Sequence, residues 1–389
     1  MNATAPRPGS TRRFDVAIRG AGVVGQTLAL LLARDRLRVA LVGATRAETG
    51  QADVRAYALN AASRDVLRSV RAWPEAGLQD ERSPPITPVS AMQVWGDDGG
   101  ELRFSADDQG AEALTWIVDV PALEQRLLDA VGFQGSIERV SEPPLAALTV
   151  VCEGRRSQTR AELGLEFDVR PYPHKALAAR LRCEQPHGGI ARQWFANGEV
   201  MALLPLGGES GNSVALVWSV PAQQADTWLQ ADPDTFTQAV QARSAQALGH
   251  MHMESPAQAW PLELSRAQRW IARTAQGGVA LAGDAAHAMH PLAGQGLNVG
   301  LADVAELARV LQQREYWREL GDQKLLRRYE RARAAEVGAM GWVTDGLFGL
   351  FSHDDTRVQA LRNWGLSGFD RSGPLKRWIA RQAMGQPGL

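Results

Sequence analysis

The chain has 389 residues, 45% of them apolar and 22% charged, with 42 basic side chains against 43 acidic. That length and apolar content suffice for two or three domains with a sizeable core, and a net charge of −1 supplies no long-range field for nucleic acid. Cys152 and Cys183, the two cysteines, exclude a disulfide framework or a cysteine-rich metal site, and no stretch reaches the ~20 apolar residues of a membrane span.

Residues 1–12, rich in Pro, Gly, Ser and Thr, lack the apolar core of a signal peptide and are expected to form a disordered tail. A soluble, cytoplasmic protein in a reducing compartment is the expectation. The run Phe14–Gly20 has the composition of a short strand ending in glycine; Ala21–Arg34 follows as a buried helix and Arg38–Val42 as a second strand, which together make a β-α-β unit. Helical text returns at Ala61–Ala72 and at Pro121–Val131, where proline suits the first helical turn. Between about 166 and 264 the pattern alternates. Val200–Leu206 and Ser213–Ser219 predict antiparallel strands joined through Gly207, Gly208 and Gly211, and Asp234–Leu248 predicts a helix. From Gly278 a buried strand, a glycine-rich turn and a helix from about Gly296 succeed one another, and the last part is helical, arginine-rich and punctuated by tryptophan.

Gly20, Gly22 and Gly25 spell G-x-G-x-x-G between a strand and a helix. In that setting the first glycine allows a tight turn, the second lets a pyrophosphate reach backbone N–H groups at the helix start, and the third lets helix and strand pack closely. The carboxylate that binds the adenosine ribose belongs about 20 residues further on. Gly43 stands there, and with Arg46 nearby the site is also open to a 2′-phosphate.

The second motif runs Gly283-Asp284-Ala-Ala-His287-Ala-Met-His290-Pro291-Leu-Ala-Gly294-Gln295-Gly296-Leu297-Asn298 and on to Asp303. It puts a carboxylate at a strand end, then a proline turn, then bare amides at a helix start that favours negative charge. His287 and His290 are better explained as turn residues than as metal ligands, for want of a ligand set around them. Asp97, Asp98, Asp107 and Asp108 sit in turn-like text and are expected to be solvated, as are His250 and His252.

On these motifs, with Asp53–Leu59, Ala191–Phe195, Leu203–Leu206, Val217–Ser219 and Tyr329–Arg333, the sequence resembles the flavin-dependent aromatic hydroxylases of the para-hydroxybenzoate hydroxylase fold, and among them the ubiquinone-biosynthesis hydroxylases. The resemblance implies an α/β chain: a Rossmann-like FAD-binding domain (13–85, 115–165 and 265–310), an inserted antiparallel-sheet substrate domain (86–114 and 166–264) and a helical C-terminal region (311–389). It implies FAD held by Gly20, Gly22, Gly25, Arg55, Glu153, Gly154, Asp284, Gly294, Gln295, Gly296, Leu297 and Asn298. Asp284 would bind the ribityl chain, the backbone at Leu297 and Asn298 would face the flavin ring, and Pro291 would lie near the reacting centre. No metal is implied. The implied reaction is ring hydroxylation of a polyprenyl phenol through a flavin hydroperoxide, with NADH or NADPH as reductant and O2 as co-substrate.

Trp194, Phe195 and Trp218 are expected on the sheet that roofs the substrate cavity, and core packing explains them equally well. The tryptophan- and arginine-rich text from Leu361 to Arg381 suggests a face on the inner-membrane surface, or a partner helix in a quinone-biosynthesis complex. Gly43, Glu153 in place of the family's aspartate, and a short stretch from Gly132 to Leu148 depart from the family pattern. They leave open a flavin-poor structural subunit of such a complex, beside a flavin reductase or dehydrogenase on the same fold.

Overall fold

A computed structural model describes residues 13–44, 53–74, 85–96, 100–288 and 296–352. Arg46, Asp97, Asp98, His290, Pro291, Gly294, Gln295, the N-terminal tail and the segment from Leu361 to Arg381 lie outside them.

The first layer is a six-stranded sheet. Its members are β1 (Val16–Arg19), β2 (Val39–Val42), β8 (Ile137–Val140), β9 (Leu148–Val151), β16 (Ile271–Arg273) and β17 (Gly278–Leu281), in the order β16-β17-β9-β1-β2-β8. Pairing is parallel from β17 through to β8, and β16 alone runs antiparallel at the edge. The buried helix α1 (Val23–Arg34) connects β1 to β2 and packs against α7 (Gly296–Gln312) and α3 (Val120–Gly132). The central strands β1, β2, β9 and β17 are almost wholly apolar because parallel strands with covered faces do not meet water, whereas the edge strands β8 and β16 carry Glu138, Arg139 and Arg273. The short text from Gly132 to Leu148 yields one edge strand, β8, with residues 141–147 leading directly to β9.

A small antiparallel sheet of β3 (Ala56–Leu59), β4 (Ile86–Val89) and β7 (Thr115–Asp119) sits between this layer and the next, in the order β3-β7-β4. Helix α2 (Ala61–Ser69) follows β3 and is capped by the Asn60 side chain, which accepts from Ser63 N–H at 2.9 Å.

The second large sheet has nine strands. They are β5 (Ala91–Trp95), β6 (Glu101–Ser105), β10 (Phe167–Cys183), β11 (Ile190–Ala196), β12 (Glu199–Pro205), β13 (Ser213–Pro221), β14 (Met251–Met253), β15 (Gln258–Ala267) and β18 (His287–Ala288). The main path is β18-β15-β10-β13-β12-β11-β5-β6, and β14 pairs with β10. Sequence pattern conceals β10, because Pro171 and Pro173 interrupt it; the ladder to β15 shifts register between Pro171 and Lys175 and then resumes. Helices α5 (Ala222–Gln230) and α6 (Pro233–Arg243) cover one face of this sheet through a core of Leu177, Leu181, Leu216, Trp218, Phe236 and Val240. Helix α6 stops at Arg243, short of the expected Leu248, because Ala245 (φ 48°) and Gln246 (φ 54°) turn left-handed. The short α4 (Gln158–Glu162) lies ahead of β10, and α8 (Gln323–Ser352) packs on α7. No helix among the described residues is long and apolar enough to cross a membrane.

Two glycines of the first motif are fixed by contact. A Cβ on Gly20, itself at φ 110°, would meet the Cys152 carbonyl oxygen at 2.3 Å, and one on Gly25 would meet the Gly20 carbonyl oxygen at 1.9 Å. Neither contact can be relieved by a side-chain rotation, since both partners are backbone. Gly25→Ala is therefore expected to force β1 and α1 apart, cost about 1–3 kcal/mol and lower the melting temperature by several degrees in a thermal denaturation scan. Gly22→Ala, at a position with nothing within 4 Å, should leave the melting temperature within a degree or so of the parent.

Candidate active site

The carboxyl ends of four parallel strands stop in register. Leu281, Val151, Arg19 and Val42 are Cα partners across the sheet, so the next residues of each strand line one crevice. Those residues are Gly283 and Asp284 after β17, Cys152 to Gly154 after β9, Gly20 to Gly22 after β1, and Gly43 after β2. A crevice outside the carboxyl ends of a parallel sheet is where such folds bind ligands. The topology thus gathers Gly20, Gly22, Glu153, Gly154 and Asp284 from three separated stretches of chain.

The start of α1 is bare. Its N-cap is Gly22, no side chain caps it, and no acid stands in its first turn. The free N–H groups of that turn, with the positive end of the helix dipole, form an anion site. A Cβ added to Gly22, Gly154 or Gly296 would meet no atom within 4 Å, so the backbone at each faces open space. Gly43, at φ 107°, stands at the strand end where the ribose-binding carboxylate is usual.

Glu153 spends its carboxylate on the chain itself. One oxygen accepts from Arg19 Nε at 3.0 Å and Thr159 Oγ1 at 2.6 Å; the other accepts from Ser157 Oγ at 2.7 Å and Thr159 N–H at 3.1 Å. Burial pushes its pKa up, but the bonds from Thr159 and Ser157 and the charge of Arg19 outweigh that and hold it below the usual carboxylate range. The longer side chain thus fixes the turn after β9 and the start of α4. Arg160 completes the turn, donating from Nη1 to the Ala285 carbonyl at 3.0 Å and from Nη2 to the Arg155 carbonyl at 2.7 Å.

Asp284 is recessed but reachable, with 47% of its side chain open to solvent. Crowding by the protein raises its pKa, partly offset by Arg155, whose Nε lies 3.9 Å from Asp284 Oδ2, and by the charges of His287 and Arg55. Arg55 itself is clamped by Asp53, through Nε at 2.8 Å and Nη2 at 2.6 Å, and lies 5.4 Å above the Trp260 ring. It stands where β3 meets the nine-stranded sheet. Burial alone would lower its pKa, but the Asp53 bond holds it raised, so it is a permanent cation.

Beneath Asp284 lies a buried hub that sequence reasoning left without a role. Asp303 of α7 accepts from Gly283 N–H at 2.9 Å, from His287 Nε2 at 2.6 Å and from Arg333 Nε at 2.8 Å, with no solvent exposure. An ionised carboxylate only accepts, so His287 Nε2 carries the proton. The Trp270 ring stacks on His287 at 5.0 Å, and Tyr329 donates to the Leu281 carbonyl at 2.8 Å. Asp303 closes the second motif and Arg333 closes the Tyr329–Arg333 text; those positions were the available signal. Asn298 braces the start of α7, donating to the Ala58 carbonyl at 2.8 Å and accepting from Asn60 N–H and Ser63 Oγ at 3.0 and 2.7 Å. Leu297, next to it, packs against the main core.

The aromatic trio divides between two faces. Trp194 and Trp218 pack in the core under α5 and α6, and Trp218 donates from Nε1 to Glu199 Oε2 at 3.0 Å. Only Phe195 points to the opposite face, which β3, β4 and β7 approach through Ala56, Ala58, Val89 and Ile117. The expected roofing role is thus corrected for Trp194 and Trp218, since successive strand residues face opposite ways. Arg180, on the Phe195 side, donates from Nη2 to Asp119 and ties the two sheets together. Burial pushes the Cys183 thiol up to about 12 and the Cys152 thiol further, so neither is a thiolate nucleophile.

A family model described as FAD binding domain matches residues 134–341. The chain is 31% identical to a ubiquinone hydroxylase of Rhodospirillum rubrum, over 99% of this chain and 92% of that one. It is 28% identical to a 3-demethoxyubiquinol 3-hydroxylase of Escherichia coli, over 95% and 98%. Among solved structures, the PqsL protein of Pseudomonas aeruginosa in complex with 2-aminobenzoylacetate superposes with a TM-score of 0.74 at 22% identity, covering 90% of this chain and 99% of that one. A p-nitrophenol 4-monooxygenase of Pseudomonas putida gives 0.72 at 16%, covering 97% and 99%. At these identities the structures establish the shared fold.

Removing the hub's charge should be costly. Asp303→Asn leaves the buried Arg333 with only the exposed Glu336 as counter-charge, for an expected loss of about 3 kcal/mol in a denaturant titration. Glu153 has a pH signature. Its folded pKa lies below the unfolded value of 4.5, so its stabilisation is complete above that value and is lost as the pH falls below it. Melting temperatures recorded from pH 6 to pH 3 should therefore fall less steeply in Glu153→Gln than in the parent, whereas parallel curves would rule this out.

Proposed function

The chain belongs to the FAD-binding monooxygenases, in the family of the ubiquinone hydroxylases, and on that footing we propose that it hydroxylates the aromatic ring of a polyprenyl phenol in ubiquinone biosynthesis. The observation that carries this reading is the in-register crevice, where the uncapped start of α1 and glycines at 22 and 154 with open space around them stand beside the carboxylate of Asp284. These residues fit FAD. The α1 start, with Gly20, Gly22 and Gly25, would hold the pyrophosphate, and Asp284 would accept from a hydroxyl of the ribityl chain. Gly294, Gln295 and Gly296, with Leu297 and Asn298 at the head of α7, would present amides to the flavin ring. A helix start of this kind favours negative charge by about 0.3–1 kcal/mol, more where it is partly buried.

Bound FAD, reduced by NADH or NADPH, supplies the oxygen-transfer chemistry with O2. The protein positions the substrate, shields the site from water and sets its electrostatics. Arg55, locked by Asp53 and resting over Trp260, places a fixed positive charge at the junction between crevice and nine-stranded sheet. Pro291, outside the described residues, would stand near the reacting centre. Glu153 acts at one remove, by holding the turn that carries Gly154. A quinone-biosynthesis complex, or the inner-membrane surface met through Leu361–Arg381, would bring the enzyme to its lipophilic substrate.

Asp284→Ala should bind FAD about 10- to 150-fold more weakly, the equivalent of one lost charge-assisted hydrogen bond, in a flavin fluorescence titration. The assignment of function is tested by oxygen uptake. With NADH or NADPH and 2-prenylphenol, the parent should form hydroxylated phenol in proportion to O2 consumed. Nicotinamide oxidation with no hydroxylated product would indicate a reductase instead.

A further inference from the structure

The inner face of the nine-stranded sheet carries a polar side chain that the fold leaves unused. Register places Phe195, Val200, Ser219, Ala176 and Trp260 in one row across β11, β12, β13, β10 and β15. Adjacent strands lie ~4.8 Å apart, so Ser219 stands roughly 10 Å from each of the two aromatic positions that end the row. Ala176 and Val200 fill the intervals, and Ala178, Val217 and Ala202 make the next row equally short-chained. This side of the sheet is the one that meets the cofactor domain, because Arg55 lies 5.4 Å over Trp260 and Arg180 bonds to Asp119. The result is a stretch of sheet, four strand spacings across, with an aromatic residue at either end, short apolar side chains between and one hydroxyl at its middle.

Ser219 is 6% exposed, and its Oγ finds no hydrogen-bond partner among the described residues. Ser213, on the same face of the same strand, bonds to Glu254 Oε2 at 3.0 Å. Ala215 and Val217, the inward positions between them, are apolar. Burying an unpaired hydroxyl destabilises a fold, and alanine would satisfy packing here at no such cost. A buried, unpaired donor-acceptor on the apolar sheet face that meets the cofactor domain is instead what recognition of one polar atom on an otherwise apolar ligand requires.

We propose that Ser219 is the substrate-orienting residue, its Oγ hydrogen-bonding the phenolic oxygen while the ring lies over Ala176 between Ser219 and Trp260. This rests on the phenol-hydroxylase reading above and adds to it the group that sets which way the ring faces. Phenols would be selected over rings lacking the hydroxyl, because only they satisfy Ser219.

The test compares the FAD-loaded parent with Ser219→Ala and Ser219→Thr. Binding of 2-prenylphenol and of prenylbenzene, which lacks the hydroxyl, is followed by perturbation of the flavin absorbance. The expected result for Ser219→Ala is a three- to tenfold weaker affinity for 2-prenylphenol, with prenylbenzene, FAD affinity and melting temperature unchanged or the last slightly raised. Ser219→Thr should restore most of the affinity for 2-prenylphenol. Equal weakening of both ligands, no effect on either, or a fall in melting temperature with Ser219→Ala would overturn the assignment. If the parent binds 2-prenylphenol no better than prenylbenzene and hydroxylates no phenol, the functional reading itself fails, an outcome distinct from a parent that is active but indifferent to Ser219→Ala.

Discussion

Asp303 is a full negative charge with no access to water, and its burial is tolerable only because three donors converge on it. Each donor belongs to a different part of the molecule. Gly283 N–H fixes the turn that presents Asp284; His287 anchors the short β18 to the edge of the nine-stranded sheet; Arg333 draws α8 onto α7. The crevice, the sheet edge and the C-terminal helix are therefore held in one relative position by a single carboxylate. Close packing supports it. Gly283 and Gly300 both lie against Val24 of α1, where a Cβ on either would come within 3.0–3.3 Å of that side chain. The anion site at the head of α1 and the turn that carries Asp284 are thereby kept side by side.

A second division of labour runs through the nine-stranded sheet. One face, under α5 and α6, is a conventional apolar core with Trp218 and Phe236 at its centre. The other has short side chains, alanine, valine and serine, on its central strands, with Phe195 and Trp260 toward the edges and Arg180 reaching across to Asp119. Large side chains go where stability is made, and small ones where a ligand needs room. The links between layers are made by arginines: Arg180 bonds to Asp119, and Arg55, clamped by Asp53 of its own segment, rests over the Trp260 ring.

Much of this was written locally. The β1–α1–β2 unit, the turn at Gly20–Gly25, the strands β12, β13 and β17 and the helix from Gly296 follow from apolar runs, glycine spacing and period, all properties of neighbouring residues. The motif resemblance adds FAD and the hydroxylase class, because phosphate- and ribityl-binding turns are short continuous stretches. What could not be seen locally were choices made by distant partners. Strand alternation shows that Trp194 and Phe195 face opposite ways, but not which face α5 and α6 will cover; that decision consigns Trp194 and Trp218 to the core. Asp303 looks like any helical carboxylate in sequence, and its meaning comes from Arg333 and His287, which only the packing of α7 against α8 and β18 brings within bonding distance. Ser219 belongs with these, since an unpaired hydroxyl is defined by what the folded chain fails to place beside it.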